Sequence, residues 1–101
     1  MVRHIVAWEY KDGFSDAENQ ANAIKMKEEL EALKDIIDGI VQIDVHINIL
    51  SASTRDIVLD SIFVDEEALA AYQNHPEHKR VGEFVGSVVQ NRECLDYHEQ
   101  K

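Results

Sequence analysis

The segment 69–85, LAAYQNHPEHKRVGEFV, combines side chains that transfer protons with a helix boundary. Tyr72 precedes two histidines, His75 and His78, and the only proline of the chain, Pro76, lies between them. An imidazole titrates near neutral pH and a phenol donates hydrogen bonds, so this set suits general acid–base chemistry. Each imidazole also has a plainer interpretation, as a boundary residue or as a hydrogen-bonded core residue.

The proline predicts which of the two histidines faces inward. Because His75 precedes Pro76, helical backbone is disfavoured there, and we expect one helix to end at His75 and another to begin at Pro76. His78 shares three- and four-residue spacing with Val81 and Val85, which places it on the inward face of the second helix. The sequence therefore predicts His75 and Pro76 as a helix boundary and His78 as an inward imidazole, which is either a hydrogen-bonded core residue or a group that takes part in acid–base chemistry.

The same two histidines are spaced as ligands are in some zinc sites. His75 is expected outside the helix, so the two imidazoles would not share a face, and spacing supplies no third ligand. Glu77 is better explained as a first-turn charge that the helix dipole favours. The single cysteine, Cys94, has no Cys-x-x-Cys partner and is expected to be a packed thiol. We therefore predict no metal site and no cofactor.

Alternating apolar residues predict the strands that must position these side chains. Segment 4–10, HIVAWEY, puts His4, Val6 and Trp8 on one face, and segment 92–98, RECLDYH, is expected to be the last strand. Segment 40–50 alternates most clearly, and the side chains expected to share its buried face are Val41, Ile43, Val45, Ile47 and Ile49. Segment 56–64, DIVLDSIFV, is apolar on both faces, which indicates that a second chain covers the sheet.

Helix signals lie between these strands. Ser15 and Glu18 fit a capping box at the start of the first helix, and Gly39 is expected to end it. The apolar stripe of this helix consists of Ala23, Met26, Leu30, Leu33 and Ile37. Asp65 is expected to cap a second helix that turns Tyr72 inward and breaks at residues 74–76.

The order β-α-β-β-α-β predicts an α+β, ferredoxin-like fold, with a four-stranded antiparallel sheet and helices on one face. If the face of His4 meets the helices, His4, Tyr72 and His78 surround one pocket and are the candidate catalytic residues. The other residues predicted to line this pocket are Val6, Trp8, Leu59, Val81 and Phe84.

Composition limits the class of partner. The chain has 101 residues, enough for one domain, which we place at residues 1–101. Its 20 acidic and 10 basic residues give a formal net charge of −10, which disfavours binding to nucleic acid or to anionic membranes. No apolar run is long enough for a membrane span, and the single cysteine fits a reducing cytoplasm.

Three stretches resemble the stress-responsive dimeric α+β barrel (Dabb) domain family: VRHIVAWEYK at 2–11, the segment 69–85, and RECLDY at 92–97. The resemblance spans nearly the whole chain in the expected order. It implies a ferredoxin-like monomer that pairs through its sheet into a homodimeric barrel. Most members of this family have no assigned activity, which favours a homodimer that binds a small molecule without a known reaction.

A plant subset of the family, similar to olivetolic acid cyclase, closes linear polyketide thioesters by an aldol condensation. The resemblance implies that His78 acts as the base in such chemistry, that Tyr72 assists it, and that His4 lines the pocket. That subset carries a further histidine where this chain has Ile57. A polyketide cyclase-like enzyme is therefore the alternative function, and monooxygenase-like or haem chemistry, known in related barrels, is a weaker one.

Overall fold

The computed structural model describes residues 1–99 and shows three α-helices packed on one face of a four-stranded sheet. Its elements are β1 (Val2–Tyr10), α1 (Asp16–Ala32), β2 (Ile40–His46), β3 (Ile57–Phe63), α2 (Glu66–Asn74), α3 (Pro76–Val88) and β4 (Val89–His98). The antiparallel strands lie in the order β2-β3-β1-β4, which confirms the ferredoxin-like prediction with the last helical element split in two. Residues 100 and 101 of the predicted domain lie outside the described residues.

β1 lies between β3 and β4 and carries a regular alternation of buried and partly exposed residues. Its even-numbered residues from Val2 to Trp8 are buried, and the odd-numbered residues between them are partly exposed. Because alternate side chains of a strand point to opposite faces, the buried set, which includes His4, faces the helices. Opposite His4 lie Ser61 of β3 and Asp96 of β4.

α1 begins at the predicted capping box. Ser15 Oγ accepts a hydrogen bond from the Glu18 backbone N–H at 3.1 Å, and Glu18 Oε1 accepts one from the Ser15 backbone N–H at 2.9 Å. The predicted apolar stripe is buried at every position, namely Ala23, Met26, Leu30, Leu33 and Ile37. The α-helix ends at Ala32, however, and a 3-10 turn, Leu33–Asp35, continues the stripe.

Gly39 does not end α1, as the sequence had predicted, but lies in the loop that leads into β2. Its φ of +92° is a conformation that glycine adopts without the steric penalty of a Cβ atom. A Cβ atom here would lie 2.7 Å from the Cβ of Ala68 in α2. Gly39 is therefore needed for a close approach between this loop and α2.

β2 is shorter than predicted, and its alternation is interrupted. The pairing with β3 shifts register around Val41, which leaves that residue as a bulge and exposes it. The strand ends at His46, so the prediction that Ile47 and Ile49 belong to it was wrong. Ile47 still packs against the core from the loop before β3.

The sheet face opposite the helices is not covered by any helix of residues 1–99. Leu95 and Tyr97 of β4 are 64% and 48% exposed on this face, and Val58 and Ile62 of β3 are partly exposed. β3 is thus apolar on both faces, as its sequence indicated, while residues 1–99 cover only one of them. Over residues 1–99, no helix combines the length and the apolar character that crossing a membrane requires.

Candidate active site

The break between α2 and α3 orients Tyr72 and His78. His75 has extended backbone, with ψ of 137°, because Pro76 follows it. Its Nδ1 accepts a hydrogen bond from the Glu77 backbone N–H at 3.1 Å, so its ring serves as the N-cap of α3. Pro76 occupies the first turn, where its missing N–H group leaves no helical hydrogen bond unmade.

Tyr72, His78 and His4 come together between the broken helix and β1. The ring centroids of Tyr72 and His78 are 4.3 Å apart, and those of Tyr72 and His4 are 6.4 Å apart. Phe63 of β3 packs beside them, with its centroid 4.9 Å from that of Tyr72. The fold therefore brings two imidazoles within contact range of one phenol.

These three polar side chains line a single cavity with a volume of about 260 Å³. The rest of its wall is largely apolar and is formed by Val6, Trp8, Leu30, Leu59, Val85 and Val89. Exposed residues lie around its mouth, namely Gly82, Gly86, Asn91 and Arg92. Pockets for drug-sized ligands span roughly 300–1,000 Å³, so this cavity suits a smaller molecule.

The structure separates the predicted pocket residues into two groups. Val6, Trp8 and Leu59 line the cavity, whereas Val81 and Phe84 do not. Val81 is fully buried in the core, and Phe84 lies beneath Lys25, whose Nζ is 4.3 Å from the ring centroid. Helical periodicity identifies the inward face of α3 but does not distinguish core positions from cavity positions.

Tyr72 stays protonated across the physiological pH range. Burial raises the pKa of its phenol far above the ordinary value of 10.0, and the positive charge of Arg92 opposes this shift only in part. Its side chain is almost completely buried. A protonated phenol beside the cavity is a hydrogen-bond donor for an oxygen atom of a ligand.

His78 is neutral at pH 7. Burial lowers the pKa of its imidazole below the ordinary value of 6.5, the backbone of Gln73 opposes this shift, and His4 and Arg92 add to it. Its Nδ1 is buried without a hydrogen-bond partner among residues 1–99. Leaving a buried nitrogen without a partner costs about 1–3 kcal/mol.

His4 makes a contact that the sequence analysis missed. Its Nδ1 is hydrogen-bonded to the carboxylate of Asp96, its cross-strand partner on β4. Because a carboxylate is an acceptor, Nδ1 carries the hydrogen of this bond, and Nε2 is the remaining polar atom of the ring. Only the strand register joins these residues, which are 92 positions apart, so no local motif could have indicated the pair.

Arg92 is the second site residue that the sequence analysis missed. It lies on β4 at the mouth of the cavity and is exposed. The sequence indicated Arg92 only as part of the last strand, because its place at the cavity depends on the pairing of β4 with β1. Its charge places a positive potential beside Tyr72 and His78.

One group of potential metal ligands is present in residues 1–99, and it does not include His75 or His78. Nδ1 of His4, Sγ of Cys94 and a carboxylate oxygen of Asp96 all lie within 4.8 Å of one another. His4 is buried, whereas Cys94 and Asp96 are exposed, so the prediction that Cys94 is a packed thiol was wrong. This group lies at the β1–β4 side of the cavity.

Comparison with solved structures supports the observed fold. A dimeric protein of unknown function with a ferredoxin-like fold, from Bacteroides fragilis, is 32% identical, with 97% of this chain and 95% of that chain covered and a TM-score of 0.89. An Arabidopsis thaliana protein is 18% identical, with coverages of 100% and 97% and a TM-score of 0.81. A hydroxynitrile lyase from Passiflora edulis is 17% identical, with coverages of 95% and 90% and a TM-score of 0.78.

Two comparisons at the level of sequence give further results. A search of curated proteins found no match. The family model for the stress responsive A/B barrel domain (Dabb) matches residues 2–99. This match covers nearly the whole chain and agrees with the ferredoxin-like order of its strands. The chain therefore belongs to the stress responsive A/B barrel domain family.

Proposed function

We propose that this Dabb-domain chain acts as a homodimer whose cavity binds a small, largely apolar carbonyl compound and transfers a proton beside the carbonyl group. The observation that carries this proposal is the convergence of two imidazoles and one phenol on a cavity of about 260 Å³. An apolar wall with few convergent polar groups is typical of a small-molecule site. The predicted compartment remains a reducing cytoplasm.

The three side chains have separate roles. His78, neutral at pH 7, takes the α-proton of the substrate and leaves an enolate. Tyr72 donates a hydrogen bond to the enolate oxygen, since its hydroxyl remains protonated. His4, oriented by Asp96, positions the substrate through Nε2.

The proton balance closes without a cofactor. In a cyclisation, the enolate carbon attacks a second carbonyl carbon of the same molecule, and protonated His78 returns its proton to the new alkoxide. In the cleavage direction the same transfers run in reverse, so one site serves a cyclase or a lyase. Positioned proton transfer of this kind contributes ~10²–10⁴-fold to a rate.

The proposal is tested by exchange of α-protons. We expect the wild-type protein to accelerate hydrogen–deuterium exchange of a short methyl ketone in deuterium oxide, followed by proton NMR. His78→Gln should reduce the enzymatic rate by at least ~100-fold while its melting temperature stays near that of the wild type. The matched control is His98→Gln, because His98 is 73% exposed on its side chain and does not line the cavity.

A second function, binding without turnover, rests on the same apolar wall. It predicts that the ketone shifts NMR signals of the cavity residues while exchange stays at the buffer rate. That result, or equal loss of exchange in the His78 and His98 variants, would contradict the acid–base proposal. The monooxygenase alternative has only the likeness of the fold behind it.

A further inference from the structure

We propose that His4, Cys94 and Asp96 form a binding site for one zinc-class transition metal ion per chain. This site goes beyond the proposed acid–base function, which does not use Cys94 and does not require a metal. Its residues lie on two neighbouring strands, β1 and β4, at the edge of the sheet.

The strand register brings the three side chains together. Asp96 lies directly opposite His4, and Cys94 lies opposite Val6, so both β4 residues share the face of His4. A bulge in β4 near Asn91, which has φ of +53°, determines that the even-numbered residues after it face the same side as His4. Leu95 alternates with the two ligands and points to the other face of the sheet.

Two of the three distances between ligand atoms are close to those of tetrahedral coordination. Sγ of Cys94 is 3.8 Å from Nδ1 of His4 and 3.5 Å from a carboxylate oxygen of Asp96. Zinc binds sulfur at about 2.3 Å and nitrogen or oxygen at about 2.0–2.1 Å. In a tetrahedral site these bond lengths place the sulfur about 3.5–3.6 Å from each nitrogen or oxygen ligand atom. The hydrogen-bonded His4 and Asp96 need only separate to about 3.3 Å for the ion to take the place of the hydrogen.

The donor set selects the class of metal. A thiolate and an imidazole prefer zinc and its first-row neighbours, whereas magnesium and calcium prefer oxygen ligands alone. Three protein ligands leave the fourth tetrahedral position open. Cys94 and Asp96 are exposed, so an ion reaches the site from solvent, and the net charge of −10 favours the approach of a cation.

The site also remains accessible in the proposed homodimer. The face that would meet a second chain carries Leu95 and Tyr97, whereas Cys94 and Asp96 point to the face of the helices. The ligands and the dimer surface therefore use alternate residues of the same strand. Cys94 is the only cysteine of the chain, so its thiolate gives the site a spectroscopic signature of its own.

The experiment is titration of tag-free, reduced, chelator-treated protein with cobalt(II), followed by competition with zinc. We expect a thiolate-to-cobalt charge-transfer band in the near ultraviolet that saturates at one ion per chain and disappears when zinc is added. Cys94→Ser should abolish the band, and Asp96→Asn should weaken cobalt affinity at least tenfold. Glu93→Gln is the matched control, because Glu93 lies on β4 beside the site but on the other face.

The results that would contradict the metal site differ from those that would contradict the acid–base proposal. Absence of the band, or saturation at half an ion per chain, would contradict a three-ligand site within one chain. Cobalt binding that is unchanged in Cys94→Ser would mean that the ion binds elsewhere. The exchange assay with metal-free protein decides the acid–base proposal separately.

Discussion

At the residue scale, His78 and Tyr72 lie in contact, yet burial moves their pKa values in opposite directions. Burial disfavours the charged form of each group, so the imidazole loses its proton more readily and the phenol holds its proton more firmly. One desolvated wall thus supplies both a proton acceptor and a hydrogen-bond donor. Desolvation is the largest cause of both shifts, and the charge of Arg92 lowers both pKa values.

The lowered pKa of His78 predicts a pH dependence of stability. The unfolded chain takes up a proton on His78 near pH 6.5, whereas the folded protein takes it up only at lower pH. The stability contribution of neutral His78 is therefore complete above pH 6.5 and is lost as pH falls towards the folded-state pKa. We expect His78→Gln to lose less stability than the wild type between pH 7 and pH 5.

Urea denaturation of both proteins at the two pH values measures this effect. Other titrating groups contribute equally to the wild type and the variant, so the difference between the two pH dependences isolates His78. Parallel losses of stability in the two proteins would show that the imidazole is solvated in the folded state.

Sequence reasoning at this scale placed Tyr72 and His78 on the inward faces of their helices, misplaced Val81 and Phe84 in the pocket, and missed the site residues of β4. Tyr72 and His78 follow from local spacing and one proline, which fix the face of a helix without knowledge of the fold. Asp96, Cys94 and Arg92 gain their significance from pairing with β1, and a register between distant strands has no local signal.

At the element scale, departures from regular geometry decide which residues meet. The sequence predicted the strands and helices because alternation and three- to four-residue spacing are local. It did not predict the bulges at Val41 and Asn91 or the early end of α1, because these depend on contacts between elements. The bulge near Asn91 has the largest consequence, since it decides which β4 residues face His4.

Gly39 gives a test of such a contact. Gly39→Ala should destabilise the protein by about 1–3 kcal/mol, because alanine is strained at φ of +92° and its Cβ meets Ala68 at 2.7 Å. Gly82→Ala is the matched control: no atom lies within 4 Å of its added Cβ, so we expect about 0.5–1 kcal/mol of stabilisation in α3. Thermal and urea unfolding give both values. Equal effects of the two substitutions would contradict a specific role of Gly39.

At the scale of the whole molecule, the two faces of the sheet have different roles. One face, covered by the helices, carries the cavity, and the other carries apolar side chains that no helix of residues 1–99 covers. Arg3 on this second face forms a salt bridge with Asp60 at 2.6 Å within the same chain. Its positive charge therefore does not need a partner from a second chain. A second copy is the partner that we propose for this face, and the dimeric Bacteroides fragilis protein supports this choice.

The dimer is tested by placing a charge on the exposed face. Leu95→Asp should raise the dimer dissociation constant at least roughly 30-fold, which corresponds to the ~2 kcal/mol of an interface hot spot, because a buried carboxylate would lack a partner. Leu50→Asp is the matched control, since Leu50 is 80% exposed in the loop between β2 and β3. Light scattering across a dilution series measures the dissociation constants. If the wild type is monomeric at micromolar concentration, or if both variants dissociate alike, the exposed face of the sheet serves another purpose.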